Sequence, residues 1–242
     1  MENHPRINIL TPLINHPKII LGSFPTWALT GQDSDSIETR EKKSKEKTKN
    51  GDMDFFYGSS INRFWDWYKI FYDGEIETNN VETIKGSLNR NSIGITDIII
   101  SCDRLNQSSL DKHLTNRIYN HNFFRYPQKG ETIKILCTSK GVMNEMFIKQ
   151  VLLKSPKQFK IDADTSNNFQ RLVLEKIKGN YRLLKNPFYN SIELESGGSI
   201  ECFSIPSPGS PYRRLIDFGL NGSPVQEYLD SYLKEVFDWF KN

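Results

Sequence analysis

Four short apolar runs rich in β-branched residues recur along this chain, and they constrain its fold more than any other feature. They are residues 18–24 (KIILGSF), 92–101 (SIGITDIIIS), 132–138 (TIKILCT) and 199–205 (SIECFSI). Runs of this length bounded by turn residues suit strands buried on both faces. Residues 192–194 and 199–205 bracket Ser-Gly-Gly and read as a hairpin whose second arm enters the core. Residues 59–72 place Ile61, Phe64, Trp65, Tyr68 and Ile70 or Phe71 near helical spacing, with Ser59 or Ser60 as N-cap. Further helices are expected over 81–89, 108–119, 142–153, 167–178 and 223–240. The second of these opens on a capping box, Ser108-Ser109-Leu110-Asp111, and the last has Pro224 in its first turn. Strands alternating with helices predict a three-layer α/β/α sandwich around a central, mostly parallel four-stranded sheet. Ligands of such sheets bind outside the carboxyl ends of the strands. The loops after Phe24, Ser101, Thr138 and Ile205 are therefore expected to surround the site.

A chain of 242 residues accommodates one such domain with insertions. Its 37% hydrophobic and 12% aromatic content marks it as globular rather than disordered. Residues 31–54 are polar and charged with almost no aliphatics, and read as a mobile insertion. Within them, 38–50 hold six Lys or Arg against three Glu, a local charge equal to the net +3 of the whole chain. That balance permits nucleic-acid binding without demanding it. Cys102, Cys137 and Cys202 are odd in number, far apart and not in CxxC pairs. They exclude a four-cysteine zinc or iron–sulfur site and a disulfide framework, and are expected as buried thiols. With no signal peptide and no apolar run of about 18 residues, a soluble, cytoplasmic protein is expected.

Three segments could carry chemistry. Gly22-Ser23-Phe24-Pro25 follows the first strand, where backbone can approach a ligand closely. Residues 57–65 (YGSSINRFW) place an aromatic, a small-residue turn, and then Asn62 and Arg63 at the start of an aromatic helix. Phe64 and Trp65 are explained by core packing, whereas Asn62 and Arg63 are not required to be polar for packing. Residues 205–214 (IPSPGSPYRR) form a stiff loop after the last strand, with hydroxyls and arginines suited to phosphate contact.

The order GSFP, NRFW, GITD with SCDR and SLD, then a Pro/Ser loop resembles the uracil-DNA glycosylase superfamily. The likeness is greatest to its hypoxanthine-DNA (deoxyinosine) glycosylase branch, and the mismatch-specific uracil and thymine glycosylases share the NRFW element. The resemblance covers most of the chain, with 31–54 and about 154–199 as additions to a single family-like domain. It implies that Tyr57 stacks on an extruded base and that Gly22, Ser23, Phe24 and Pro25 line the base pocket. Phe24 stands where most branches carry an Asp, Asn or Glu that positions water, which leaves Asn62 as the catalytic candidate. Ser207, Gly209, Ser210, Tyr212 and Arg213 fall on the loop that pinches the DNA backbone. Ser207 occupies the place of a His in the classical uracil enzymes, which argues against high activity on ordinary uracil.

The implied activity is monofunctional hydrolysis of the N-glycosidic bond of a deaminated or modified base flipped out of DNA. No cofactor, metal, iron–sulfur cluster or membrane is expected. The expected partner is DNA bearing such a base, the location the cytoplasm beside the nucleoid, and the state a monomer. Two other readings stay open: a base-pocket module that binds modified DNA without turnover, and an N-glycosidase of free nucleotides. No lysine is placed as a Schiff-base nucleophile. Asp97 and Asp103 flank the end of the second strand, where either could position water, although Asp97 equally suits a structural cap. His4, His16, His113 and His121 fall outside the motifs and are read as surface or packing residues, and Asp33 and Asp35 as solvated.

Overall fold

A computed structural model describes residues 1–6, 16–25, 51–105, 110–155, 158–213, 215–220 and 225–242. Nine strands are described: β1 (Glu2–Asn3), β2 (Lys18–Gly22), β3 (Ile93–Asp97), β4 (Ile99–Arg104), β5 (Leu114–Tyr119), β6 (Thr132–Cys137), β7 (Phe159–Asp162), β8 (Tyr189–Leu194) and β9 (Ser199–Ser204). The helices are α1 (Phe64–Phe71), α2 (Val81–Arg90), α3 (Gly141–Leu152), α4 (Ala163–Lys176) and α5 (Val225–Lys241). The charged run 38–50, Asp33, Asp35 and the first two residues of the expected capping box lie outside the described residues.

The central sheet has six strands in the order β3-β2-β6-β9-β8-β7, not four. Its parallel half, β3-β2-β6-β9, consists of the four apolar runs. The segment 154–199 adds β8 and β7 antiparallel to the β9 edge. β7 (FKID) escapes sequence reading because it is short and mostly solvent-facing, and its pairing with β8 rather than its own pattern makes it a strand.

Alternation along the strands sorts side chains into two cores. Ile20, Ile95, Leu136 and Phe203 pack beneath α1, α2, α4 and α5. Ile19, Leu21, Ile135 and Cys202 face α3 on the other side. That second face is completed by a small antiparallel sheet, β1-β4-β5, which contributes Ile99, Cys102 and Leu114. The three-layer α/β/α arrangement therefore holds, with part of one outer layer built from strands. All three cysteines are buried and free.

Three local expectations are corrected. The run 92–101 is two strands, because the chain turns after Asp97: the amides of Ile98 and Ile99 donate to the carbonyls of Gly22 and Ser23 at 2.9 and 3.0 Å. Unbroken burial through Ile98 and Ile99 conceals that bend in the sequence. Residues 114–119 are strand rather than helix, since pairing with β4 outweighs the local capping signal, and only a short 3-10 turn over Asp111–His113 precedes them. Helix α1 starts at Phe64 rather than near Ser59, because a turn in which the Asn62 amide donates to the Ser59 carbonyl comes first.

Candidate functional site

The four parallel strands end side by side, which brings Gly22, Asp97 and Cys137-Thr138 to one edge with Ile205 beyond them. Gly22 is opposite Asp97 in register. A Cβ at Gly22 would stand 2.1 Å from Asp97 Oδ1 and 2.5 Å from the Tyr57 hydroxyl. The missing side chain is what lets both polar groups close over this backbone. The amide of Thr138 donates to the Leu21 carbonyl (3.0 Å), and that of Ile205 to the Cys137 carbonyl (2.9 Å), so the edge is held as one rim.

Tyr57 reaches this point through a strained backbone, with φ at +55°. The turn around it is closed by Met53 N–H donating to the Gly58 carbonyl (2.7 Å) and Gly58 N–H donating to that of Phe55 (3.1 Å). The Trp65 indole N–H donates to the Phe56 carbonyl at 2.8 Å, fastening the turn to α1. The half-buried Tyr57 ring lies against Phe64 with centroids 4.8 Å apart. Its hydroxyl is enclosed and, although the Thr138 side chain stands close enough to ease its titration, no hydrogen bond of ordinary geometry reaches it among the described residues. Nearby Thr138 instead donates its hydroxyl to the Leu21 carbonyl at 3.3 Å. Burial, reinforced by the Asp97 charge, pushes the Tyr57 phenol well above its ordinary pKa.

Asn62 is half-buried, and its Oδ1 accepts from the Phe64 amide at 3.0 Å. The amide oxygen thus helps to start α1 with one of its two lone pairs, and the NH2 group can donate to a ligand. The next residue joins the two expected DNA-facing segments: the Arg63 amide donates to the Pro208 carbonyl at 3.2 Å. In that loop Pro206 and Pro208 are buried while Ser207, Gly209, Ser210, Tyr212 and Arg213 are exposed, and nothing lies within 4 Å of a Cβ built at Gly209. The amides of Ser210 and Arg213 donate to the Ser207 and Ser210 carbonyls (3.0 and 3.1 Å), giving the loop successive tight turns. Tyr212 donates its hydroxyl to the Gln226 side chain of α5.

Phe24 packs between the small sheet and the N-terminal stretch. It meets the His4 ring edge to face at 5.7 Å, and the Arg104 guanidinium lies 5.7 Å from its centroid. Arg104 also donates to the Pro25 carbonyl (3.0 Å) and to Glu2 (2.9 Å), so the GSFP loop is clamped from the small sheet. Ser23 hydrogen-bonds Asp111, whose carboxyl is raised by burial against that bond and nearby Arg117, with Asp97 adding to the rise.

His4 is the polar residue at this edge that the sequence conceals. It is fully buried, and its Nε2 lies 3.0 Å from Asp97 Oδ2. A lone His in an N-terminal stretch gives no periodic or motif signal. Asp103 is separate from this cluster, bonded to Asn116 on β5 at 2.7 Å. Lys140, just past β6, donates its ammonium to the Asn186 (2.6 Å) and Asp217 carbonyls, and burial lowers its pKa to about 7.

Among the described residues no group of three or more His, Cys, Asp or Glu is placed to hold a metal ion. No helix among them is long and apolar enough to cross a membrane. No family model, curated protein or solved structure matches this chain.

Proposed function

We propose that the protein is a monofunctional DNA glycosylase that hydrolyses the N-glycosidic bond of a deaminated or modified base. The observation that carries this reading is the meeting of three separate sequence segments at the carboxyl edge of the sheet. GSFP and Tyr57 meet over Gly22, and NRFW is bonded to the Pro/Ser loop through Arg63 and Pro208. A base cannot be cleaved inside the duplex stack, so the enzyme extrudes it at a cost of a few kcal/mol, least for mispaired or damaged bases. An aromatic face such as that of Tyr57 returns about 1–3 kcal/mol by stacking. Negative charge builds on the departing base, and preorganised donors stabilise it best. Asn62, whose oxygen accepts from the Phe64 amide, offers its NH2 group for that purpose. The exposed hydroxyls and Arg213 of 207–213 suit the flanking phosphates.

A panel of duplex and single-stranded oligonucleotides, each with one modified base, tests this reading. Hypoxanthine and uracil come first, with abasic-site formation as the readout. Base release abolished by Asn62→Ala supports it, and no release from any substrate by the folded protein overturns it. The packing of Phe24 into the small-sheet side favours one second reading, a base-pocket module without turnover. Tight binding to a modified duplex with no abasic product would select that alternative.

A further inference from the structure

Phe24 cannot take a proton, and the neutral amide of Asn62 is not a base. Hydrolysis at this rim therefore needs a carboxylate or other base from elsewhere. Asp97 is at the right place. It is 4% exposed, and its two oxygens have different surroundings. Oδ2 is 3.0 Å from His4 Nε2. The Arg6 amide donates to His4 Nδ1 at 3.1 Å, so Nδ1 is the acceptor and the proton sits on Nε2, pointing at Asp97. His4 is itself wedged between Phe24 and Phe56, with ring centroids at 5.7 and 5.9 Å, and has little freedom to turn. Oδ1 lies over the bare Cα of Gly22 beside the buried Tyr57 hydroxyl, which has Thr138 close by but no hydrogen bond of ordinary geometry among the described residues. An enclosed hydroxyl without a well-formed hydrogen bond is unfavourable, and a bound water or ligand removes that cost.

We infer that Asp97 Oδ1 and the Tyr57 hydroxyl hold the attacking water of the glycosylase reaction, and that His4 is the positioning residue that fixes Asp97 by its other oxygen. The inference rests on the glycosylase reading of this rim. As the glycosidic C–N bond breaks, its electron pair leaves with the base and the water oxygen bonds to the anomeric carbon. The water's proton passes to Asp97 Oδ1 and then to solvent, while the base anion takes up a proton from solvent, so one water is consumed per base released. Tyr57 thus serves twice, its ring against the base and its hydroxyl against the water.

Single-turnover base release from hypoxanthine- and uracil-bearing duplexes by the full chain tests this, with duplex affinity measured separately. Asp97→Asn keeps the shape and is expected to slow release about a hundredfold or more at unchanged affinity. His4→Leu is expected to slow it about tenfold, and His4→Gln, whose amide can donate from near the place of Nε2, to recover most of the rate. Release by folded Asp97→Asn at the wild-type rate overturns the inference and leaves the glycosylase reading intact. No release by the wild-type protein from either duplex overturns both. Should Asp97→Asn fail to fold, Tyr57→Phe decides: it removes only the enclosed hydroxyl and is expected to slow release about tenfold, and a wild-type rate overturns the inference.

Discussion

The main-chain amide of Arg63 donates to the carbonyl of Pro208 across 3.2 Å, joining two segments nearly 150 positions apart in the sequence. This bond places the start of α1 and the Pro/Ser loop on one rim. A backbone bond survives side-chain changes, so Arg63→Ala should leave the loop in place and remove only an exposed cation next to the proposed DNA-facing loop. The expected outcome is an unchanged melting temperature with weaker binding to modified and unmodified duplexes alike.

Gly22 tolerates no side chain. Alanine there would put a carbon 2.1 Å from Asp97 Oδ1 and 2.5 Å from the Tyr57 hydroxyl. Overpacking of this kind costs about 1–3 kcal/mol. Gly22→Ala should lower the unfolding free energy by that amount in urea titration and abolish base release, because the two displaced groups belong to the site.

Asn62→Ala should have two separable effects. Losing the side-chain oxygen that accepts from the Phe64 amide should destabilise the start of α1 by about 1 kcal/mol, visible in thermal unfolding. Losing the donor should remove base release. Asn62→Asp keeps the acceptor and is expected to restore stability but not turnover, since its charge opposes the anionic leaving base.

Binding should fall with salt. Each neutralised phosphate contributes about −0.9 to the slope of log affinity against log salt. Arg213→Gln should reduce the magnitude of that slope by about 1 and weaken binding evenly across base identities. An unchanged slope would remove Arg213 from the DNA interface.

Glu131 gives a pH-dependent prediction away from the site. Its hydrogen bonds from Arg125 (2.6 and 2.7 Å), with one from the Gln128 amide (2.8 Å), hold its carboxyl at about 2. A carboxylate whose folded pKa is depressed contributes stability that is present above its unfolded pKa and lost as pH falls toward its folded one. The contribution should therefore fade between about pH 4.5 and 2. Carboxyl NMR should place Glu131 near 2, and Arg125→Ala should return it toward the ordinary value.

The parallel half of the sheet was legible because strands buried on both faces are dominated by apolar residues, as 18–24, 132–138 and 199–205 are despite Lys134 and Glu201. That same uniformity hid the turn after Asp97, where Ile98 and Ile99 continue the apolar run while the backbone leaves the sheet. β5 and β7 were illegible because partner strands, not their own patterns, make them strands. At the site, Gly22, Tyr57 and Asn62 could be read from motif order. The direction of the Tyr57 hydroxyl could not, since it follows from a positive φ that no neighbour in sequence dictates. His4 was invisible for a different reason: its partner is 93 positions away, and burial of a lone imidazole leaves no periodic trace.

The strand order also bears on how the protein is made. β2 carries Gly22 and sits between β3 and β6, and the far side of β6 is covered only by β9. While a nascent chain leaves the ribosome, β2 and β3 can pair early, but the apolar edge of β2 stays open until residues 132–137 emerge, and that of β6 until 199–204. Open apolar edges of this kind recruit foreign strands. Yield in a heterologous host should therefore depend on translation rate and chaperone supply more than on the stability of the finished fold.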